Sequence, residues 1–394
     1  MKINVNIVKD IPKYIGKEIP YAYCVYGNPT DEFKAWLEFH KIPHETFDKY
    51  TNFYFPEGLN LADCFNSGES FTYVDGFSPN LNKHLHLGHL SNFVLAKSFQ
   101  SMGIGETYIA HLGDTLDGEI PKSEALKAYM ELCLKYDYKV DRIFFASEMV
   151  TGSWLEDGDG DYTGCKVFDL GDQRIVGIKS DGSTSYFLQD IALAERLNKK
   201  TLYMTGAEQS GHFKALQYFF PDIKHLPLGL VTLDGEKMSS RKGNVIWLTE
   251  VFDIMKETFG DNENLIWNVV CGYILKSNPS SDKDIAVKDL QNVKSSFGLY
   301  LSYTLAKLSK AGLLFFKNEK FHSQKMEFAY LKAKFLLEPN VLLKELVNTA
   351  KELSGLYEKY KIKDCPENHE FFIPLAEDLL TGMLLIGMKD VYKV

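Results

Sequence analysis

No stretch of this 394-residue chain approaches the ~18 consecutive apolar residues of a membrane-spanning helix, so none is expected. The opening residues, MKINVNIVKDIPKY, lack the apolar run of a secretory signal. Six cysteines are scattered without a CxxC pair, which speaks against a disulfide framework or a zinc site and fits a reducing cytosol. Basic charge is also in short supply: 44 Lys and Arg stand against 53 Asp and Glu, a net charge of −9. The imbalance is uneven. Residues 281 to 394 hold 17 basic and 15 acidic side chains, leaving 27 and 38 for residues 1 to 280. An acidic body suits a cationic small substrate, whereas a tail of net +2 is too weakly basic to predict RNA binding by charge alone. With 45 % hydrophobic residues the chain can bury a large core, and its length allows two or three domains.

Two stretches carry chemistry. GEKMSSRKGNVIWL (235 to 248) packs Lys237, Ser239, Ser240, Arg241 and Lys242 between an apolar strand-like segment (Leu226, Leu228, Leu230, Val231, Leu233) and a helical segment starting near Thr249. A lone basic loop is usually a solvated charge run, but a donor-rich loop at a strand end also meets what a polyphosphate requires. Upstream, SPNLNKHLHLGHLS (78 to 91) sets His86 and His89 around Gly88, ahead of Leu90, Phe93, Val94, Leu95 and Phe99 at helical spacing. A helix N-terminus offers free backbone N–H groups and a positive dipole end, and a glycine lets a ligand lie close. Alone, an HxGH tetrapeptide is more often a structural histidine pair.

Together, in this order and about 150 residues apart, the two stretches resemble the HIGH and KMSKS signatures of class I aminoacyl-tRNA synthetases. The flanking residues resemble one branch, the arginyl-tRNA synthetases: SPN-x-x-K before the first histidine, KMSSRKGN, Tyr186-x-x-x-Asp190-Ile-Ala, and EQSGHF. The resemblance runs over residues 71 to 394, is patchy after residue 115, and does not extend into the first 70. It implies a Rossmann-like α/β class I catalytic domain over 71–250 with a short insertion at about 115–165, followed by an all-α, anticodon-binding-like bundle over 251–394. Residues 1–70 are left as a short N-terminal extension without visible chemistry.

The element pattern agrees with that division. VNIVKDI and YAYCVYG read as strands, and DEFKAWLEFHKI as a helix with Phe33, Trp36, Leu37 and Phe39 near one face. FTYVDGFSP, TYIAHLGD and TLYMTG read as strands of the nucleotide-binding sheet, and residues 121–136 as a helix with Pro121 in its first turn. The turn-rich LEDGDGDYTG lacks the spacing and closing glutamate of a calcium loop. Tyr186 and Asp190, four apart, share one helix face. Gln209 and His212 follow a strand's carboxyl end, where ligands of open parallel sheets lie. Segments 263–276, 287–315, 324–336, 341–360 and 371–387 have helical spacing and few β signals.

The implied reaction is arginine activation by ATP, taken with Mg2+, to arginyl-adenylate, then transfer to the terminal ribose of tRNA(Arg). No tightly held protein metal is implied, and the expected protein is a cytoplasmic monomer. His86, His89, Lys237 and Lys83 are the implied catalytic residues. The implied ATP contacts are His86, Gly88, His89, Lys237, Met238, Ser239, Ser240 and Arg241; the implied arginine contacts are Asp75, Ser78, Asn80, Tyr186, Asp190 and Gln209. The chain departs from the pattern in four places. Ser240 stands where the second KMSKS lysine would be, and Lys83 is placed to supply that charge. Asp75 replaces a usual glutamate, Gln189 a usual arginine, and Thr115-Leu116 a usual Trp-Gly. Two further readings remain at this stage: a paralogue that passes arginyl-adenylate to a peptide or small amine, and a catalytically silent RNA-binding relative.

Overall fold

The computed structural model describes residues 1–5, 8, 23–26, 30–47, 50–66, 68–237, 245–286, 289, 296–360, 362 and 368–391. It divides into two compact units. One gathers residues 1–69, 262–278 and 296–394; the other holds 70–261 and 279–295.

In the first unit, β1 (Tyr23–Tyr26), β2 (His44–Phe47) and β3 (Tyr50–Phe53) form an antiparallel sheet in the order β1-β3-β2. Helix α1 (Asp31–Phe39) starts at Thr30, whose hydroxyl accepts from the Phe33 N–H. It buries Phe33, Trp36 and Leu37. Phe39 does not join that face; it is 65 % exposed. The short α2 (Leu61–Cys64) is tied in by the Trp36 indole N–H, which donates to the Cys64 carbonyl at 2.9 Å. VNIVKDI lies mostly outside the described residues.

The second unit is built on five parallel strands. These are β4 (Tyr73–Asp75), β5 (Thr107–Leu112), β6 (Arg142–Phe145), β10 (Thr201–Gly206) and β11 (Ile223–Leu228), in the order β11-β10-β4-β5-β6. From β4 the chain winds one way to β5 and β6, and later the other way to β10 and β11. The carboxyl ends of β4 and β10 therefore flank a switch point, where open α/β sheets bind ligands. Helix α3 (Leu87–Ser101) follows β4 and buries Leu90, Phe93, Val94, Leu95 and Phe99. Helix α4 (Lys122–Lys135) starts one residue after Pro121, which is its N-cap rather than part of its first turn. The insertion carries a separate antiparallel sheet of β7 (Leu155–Asp157), β8 (Lys166–Asp169) and β9 (Arg174–Ile178). Helix α5 (Tyr186–Leu197) leads into β10, and α6 (Ser210–Phe219) into β11.

Two features depart from the sequence reading. The apolar segment 226–233 is not one strand: β11 ends at Leu228 and β12 (Val231–Leu233) begins a different sheet. Gly229 makes the break, since a Cβ there would sit 2.1 Å from the Ser281 carbonyl oxygen. That second sheet pairs β12 with β13 (Glu236–Lys237) and with β14 (Lys283–Ile285), a strand inside a region read as helical. Helix α7 (Leu248–Phe259) then closes this unit's share of the chain before β14.

Five more described helices belong to the first unit: α8 (Glu263–Ile274), α9 (Phe297–Lys310), α10 (Gln324–Leu336), α11 (Pro339–Lys359) and α12 (His369–Leu385). Gly272 and Gly298 let α8 and α9 approach closely; a Cβ on Gly298 would stand 1.8 Å from the Asn268 carbonyl oxygen. The Asn268 amide reads both sides of Lys389, donating to its carbonyl at 2.8 Å and accepting from its N–H at 2.7 Å. Phe328 of α10 joins Trp36, Phe53 and Phe65 in one aromatic core, so the first 69 residues and the helices bury apolar surface together. Among the described residues no helix is long and apolar enough to cross a membrane.

Candidate active site

Two adjoining cavities open at the switch point. The first, about 420 Å³, is lined by Lys83, His86, Gly88, His89 and Asn92 on one side and by Thr205 to Gln209 and Leu228 to Val231 around it, Ala207 excepted. The second, about 380 Å³, is lined among others by His111, Tyr186, Gln189, Asp190, Tyr203 and His212. Asp75, Ser78, Asn80, Thr205 and Gln209 line both.

The first cavity is organised by a cap. His86 is the N-cap of α3. Its Nδ1 accepts from the Gly88 N–H at 3.1 Å, and its own backbone N–H donates to His89 Nδ1 at 3.1 Å. The rings lie 3.9 Å apart. Because both Nδ1 atoms accept, each neutral ring carries its proton on Nε2. Burial, reinforced by the Lys83 ammonium, pushes the His86 pKa down to about 4 and holds His89 well below the ordinary histidine range; His86 itself adds to the effect on His89. Both rings are therefore neutral Nε2–H donors near pH 7, set on a 15-residue helix whose N-terminus is positive.

The segment after the basic loop is fastened to this cap. The Leu87 N–H donates to the Ile246 carbonyl at 3.1 Å and the Leu248 N–H to the Leu85 carbonyl at 3.0 Å. On the loop's other side, Lys237 pairs with Thr232, one residue beyond Val231 of the cavity wall. The described residues on either side of 238–244 are thus held, Lys237 by β12 and Ile246 to Leu248 by the cap of α3. Met238, Ser239, Ser240 and Arg241 lie outside the described residues, as does the Lys237 side chain.

In the second cavity the buried Asp75 accepts from the Ser78 hydroxyl, and the Ser78 oxygen accepts from the His111 N–H at 2.8 Å. Burial raises the Asp75 pKa to about 6, against the lowering pull of Ser78 and His111, while Asp190 adds to the rise. Asn80 is seated by β5: the Leu81 N–H donates to the Gly113 carbonyl at 2.7 Å, and a Cβ on Gly113 would stand 1.7 Å from Asn80 Oδ1. Asp114 has a structural task, taking the Ser147 N–H at 2.8 Å and the Ser147 hydroxyl at 2.5 Å.

Asp190 is gripped on both oxygens. His212 Nε2 lies 2.6 Å from one and His111 Nδ1 3.3 Å from the other. Burial opposes ionisation of Asp190, but the two imidazoles outweigh it and keep the carboxyl below its usual range. His111 is driven the opposite way from the cap histidines: burial disfavours its charge, yet Asp190, with Asp75 and Asp114, raises its pKa. Three buried polar atoms of this cavity have no hydrogen-bond partner: Tyr203 Oη, His111 Nε2 and Gln189 Oε1. Such atoms are costly unless a ligand or water satisfies them.

All six residues expected to contact arginine thus line one cavity, and His86, Gly88, His89 and Lys83 line its neighbour. Tyr186 sits at the first turn of α5 and is half exposed. Tyr203 and the roles of His111 and His212 were missed by sequence reading. The available signal was a polar residue near a strand's carboxyl end, which His111 at the end of β5 satisfies and Tyr203, inside an apolar run, does not.

A parallel sheet with a histidine-capped helix beside an acidic cavity defines an α/β unit with ligand-sized cavities at its switch point. No family model matches the chain. Known relatives are more specific. The chain is 27 % identical over 317 residues to the arginine–tRNA ligase of Lactobacillus johnsonii, covering 68 % of this chain and 56 % of that one. It is 28 % identical over 295 residues to that of Lactobacillus acidophilus, covering 62 % and 53 %. It spans about half the length of these relatives. The structure of Thermus thermophilus arginyl-tRNA synthetase shares the fold with a TM-score of 0.66 at 16 % identity, over 98 % of this chain and 96 % of that one. The chain is thus similar in sequence to arginine–tRNA ligases and in fold to an arginyl-tRNA synthetase.

Proposed function

We propose that the chain is an arginine–tRNA ligase. It activates arginine with MgATP and passes it to the terminal ribose of tRNA(Arg). The observation that carries this reading is the pair of cavities sharing Asp75, Ser78, Asn80 and Gln209: a cavity rimmed by neutral donors and a helix N-terminus adjoins one holding the buried Asp75 and the partly buried Asp190. Joining a carboxylate to the α-phosphate requires that adjacency, and the catalytic work is positioning and charge neutralisation rather than side-chain nucleophilic attack.

In this reading His86 and His89 donate through Nε2–H to ATP oxygens. Lys83 offers a fixed positive charge in place of the lysine that Ser240 displaces. Lys237 meets the leaving pyrophosphate as the loop comes down with Met238, Ser239, Ser240 and Arg241 around the nucleotide. Asn80 and Gln209 hold the amino and carboxylate end of arginine, and Asp75, Tyr186 and Asp190 its guanidinium, whose fork of donors also finds acceptors in Gln189 Oε1 and Tyr203 Oη. The helices of the first unit form the anticodon-binding surface, and the protein works as a monomer in the cytoplasm.

The test is arginine-dependent exchange of pyrophosphate into ATP, with and without tRNA, followed by charging of tRNA. Exchange with arginine and not with lysine or citrulline is expected. Exchange without any transfer to tRNA would move the acceptor elsewhere. No exchange under either condition would overturn the assignment.

A further inference from the structure

The grip on Asp190 is more than a single ion pair needs. His111 on β5 and His212 on α6 each take one oxygen of the α5 carboxylate, and the three side chains share one cavity wall. The His111 main chain is held at this point, its backbone N–H donating to the Ser78 hydroxyl oxygen at 2.8 Å. The groups facing His111 come from every neighbouring element: Asp75 from β4, Asp114 just past β5, Asp190 from α5, Tyr203 from β10 and His212 from α6. Two of the three unpartnered polar atoms of the cavity, His111 Nε2 and Tyr203 Oη, belong to this group. Among the described residues these side chains are not arranged as a metal-binding cluster.

We propose that His111 and His212 are specificity-determining positioning residues: both hold Asp190 while the cavity is empty, with His111 as its stand-in cation, and an incoming guanidinium takes over that role and expels one proton from His111 to solvent. The inference rests on the arginine reading above. The balance is simple. No covalent bond changes; the guanidinium arrives charged, and the departing proton goes to buffer. Burial disfavours a charged His111, and only the surrounding carboxylates sustain it. A second cation in the cavity cancels their field, so burial prevails and the ring becomes neutral. His212, gripping the other oxygen at 2.6 Å, keeps the carboxylate in register throughout.

Such exchange makes the site read charge as well as shape. Citrulline has nearly the outline of arginine but is neutral, so it cannot replace the proton on His111 and meets a cation where arginine meets a carboxylate. Discrimination between the two should widen as pH rises to the midpoint of His111, by up to about tenfold per pH unit for one linked proton.

Isothermal titration calorimetry of the full chain with arginine at pH 7, in phosphate and in Tris, reads the proton directly. Asp75, with a pKa of about 6, is already mostly ionised there and contributes little. The expected result is a buffer-dependent heat equal to release of a fraction of one proton, absent in His111→Asn, which still binds arginine. Should that variant not fold, 13C-labelled histidine in the parent chain gives the same answer, the His111 resonance moving to its neutral position on arginine addition. Equal heats in both buffers, or unchanged proton release in His111→Asn, would overturn the exchange while leaving arginine as ligand. No arginine binding at all, with no arginine-dependent pyrophosphate exchange, would take down the functional reading and this inference with it.

Discussion

Replacing Asp75 by asparagine should stabilise the empty protein near pH 8 while abolishing function. Asp75 is 6 % exposed, and its pKa stands at about 6 against an ordinary 3.8. Between those values the folded chain holds a proton that the unfolded chain has lost, so stability falls as pH rises through that window. At about 1.36 kcal/mol per pKa unit, the full penalty above pH 7 is ~3 kcal/mol, and roughly half of it is present at pH 5. Asparagine keeps the outline, still accepts from Ser78 and carries no charge. Its extra N–H groups take back part of the gain, but that cost does not depend on pH. The stability gap between Asp75→Asn and the parent should therefore widen by about 1.5 kcal/mol from pH 5 to pH 8. In thermal unfolding this is roughly 3–6 °C for a unit of this size. Arginine should raise the melting temperature of the parent and not of the variant. A gap of equal size at both pH values, or one that shrinks towards pH 8, would mean that the carboxylate carries no burial penalty.

Other perturbations separate the two cavities. Lys237→Ala should lower the rate of pyrophosphate exchange about 100-fold or more with little change in arginine affinity, since its charge meets pyrophosphate mainly in the transition state; a pure loss of ATP binding would contradict that. Asp190→Asn should cost roughly 2–5 kcal/mol in kcat/KM for arginine, about 30-fold or more, and leave KM for ATP nearly unchanged; parent-like charging would show that the guanidinium lies elsewhere. Gly113→Ala must push the Asn80 amide aside, because the new Cβ would stand 1.7 Å from its oxygen. KM for arginine should rise about tenfold or more, and an unchanged value would mean that Asn80 is not an arginine contact. Nitrogen-15 spectra of labelled histidine should show His86 and His89 as neutral Nε2–H tautomers from pH 6 to 8; a proton on Nδ1 of either ring would break the reciprocal cap seen here.

What the sequence revealed and what it hid follow from the range of the interactions. Helices α3, α5 and α10 were visible because their apolar residues repeat at helical spacing, which is a local property. His86 and His89 were legible because a cap is also local, its partners lying within three residues. The break at Gly229 was hidden: what forces it is the Ser281 backbone, 52 positions away. Strand β14 was hidden for the same reason, since three residues of mixed polarity become a strand only by pairing with β12. Phe39 looked like part of an apolar face, yet α1 buries only the arc around Phe33, Trp36 and Leu37. The clamp on Asp190 was hidden most deeply. It joins residues from three elements, and nothing near His111 or His212 in the chain announces a carboxylate.

Three histidines at one switch point, His86, His89 and His111, are pushed in opposite directions by what surrounds them, and this divides the site. At the cap of α3, burial and the Lys83 ammonium remove the charge from His86 and His89. In the proposed reading a nucleotide cavity gains from this, because neutral Nε2–H donors do not change state as phosphate charge moves during reaction, and positive charge is left to Lys83, the helix N-terminus and the basic loop. On the other side of Asp75 and Asn80, carboxylates from β4 and α5, together with Asp114, sustain the charge on His111. In the proposed reading an arginine cavity needs that negative field, but an empty cavity with two bare carboxylates, one buried and one partly buried, would carry a cost. His111 offsets it with a cation of the protein's own, which the substrate can displace, while His212 holds the other Asp190 oxygen. Burial acts on all of these rings alike; the sign of the nearest neighbour decides which become fixed donors and which become exchangeable charge.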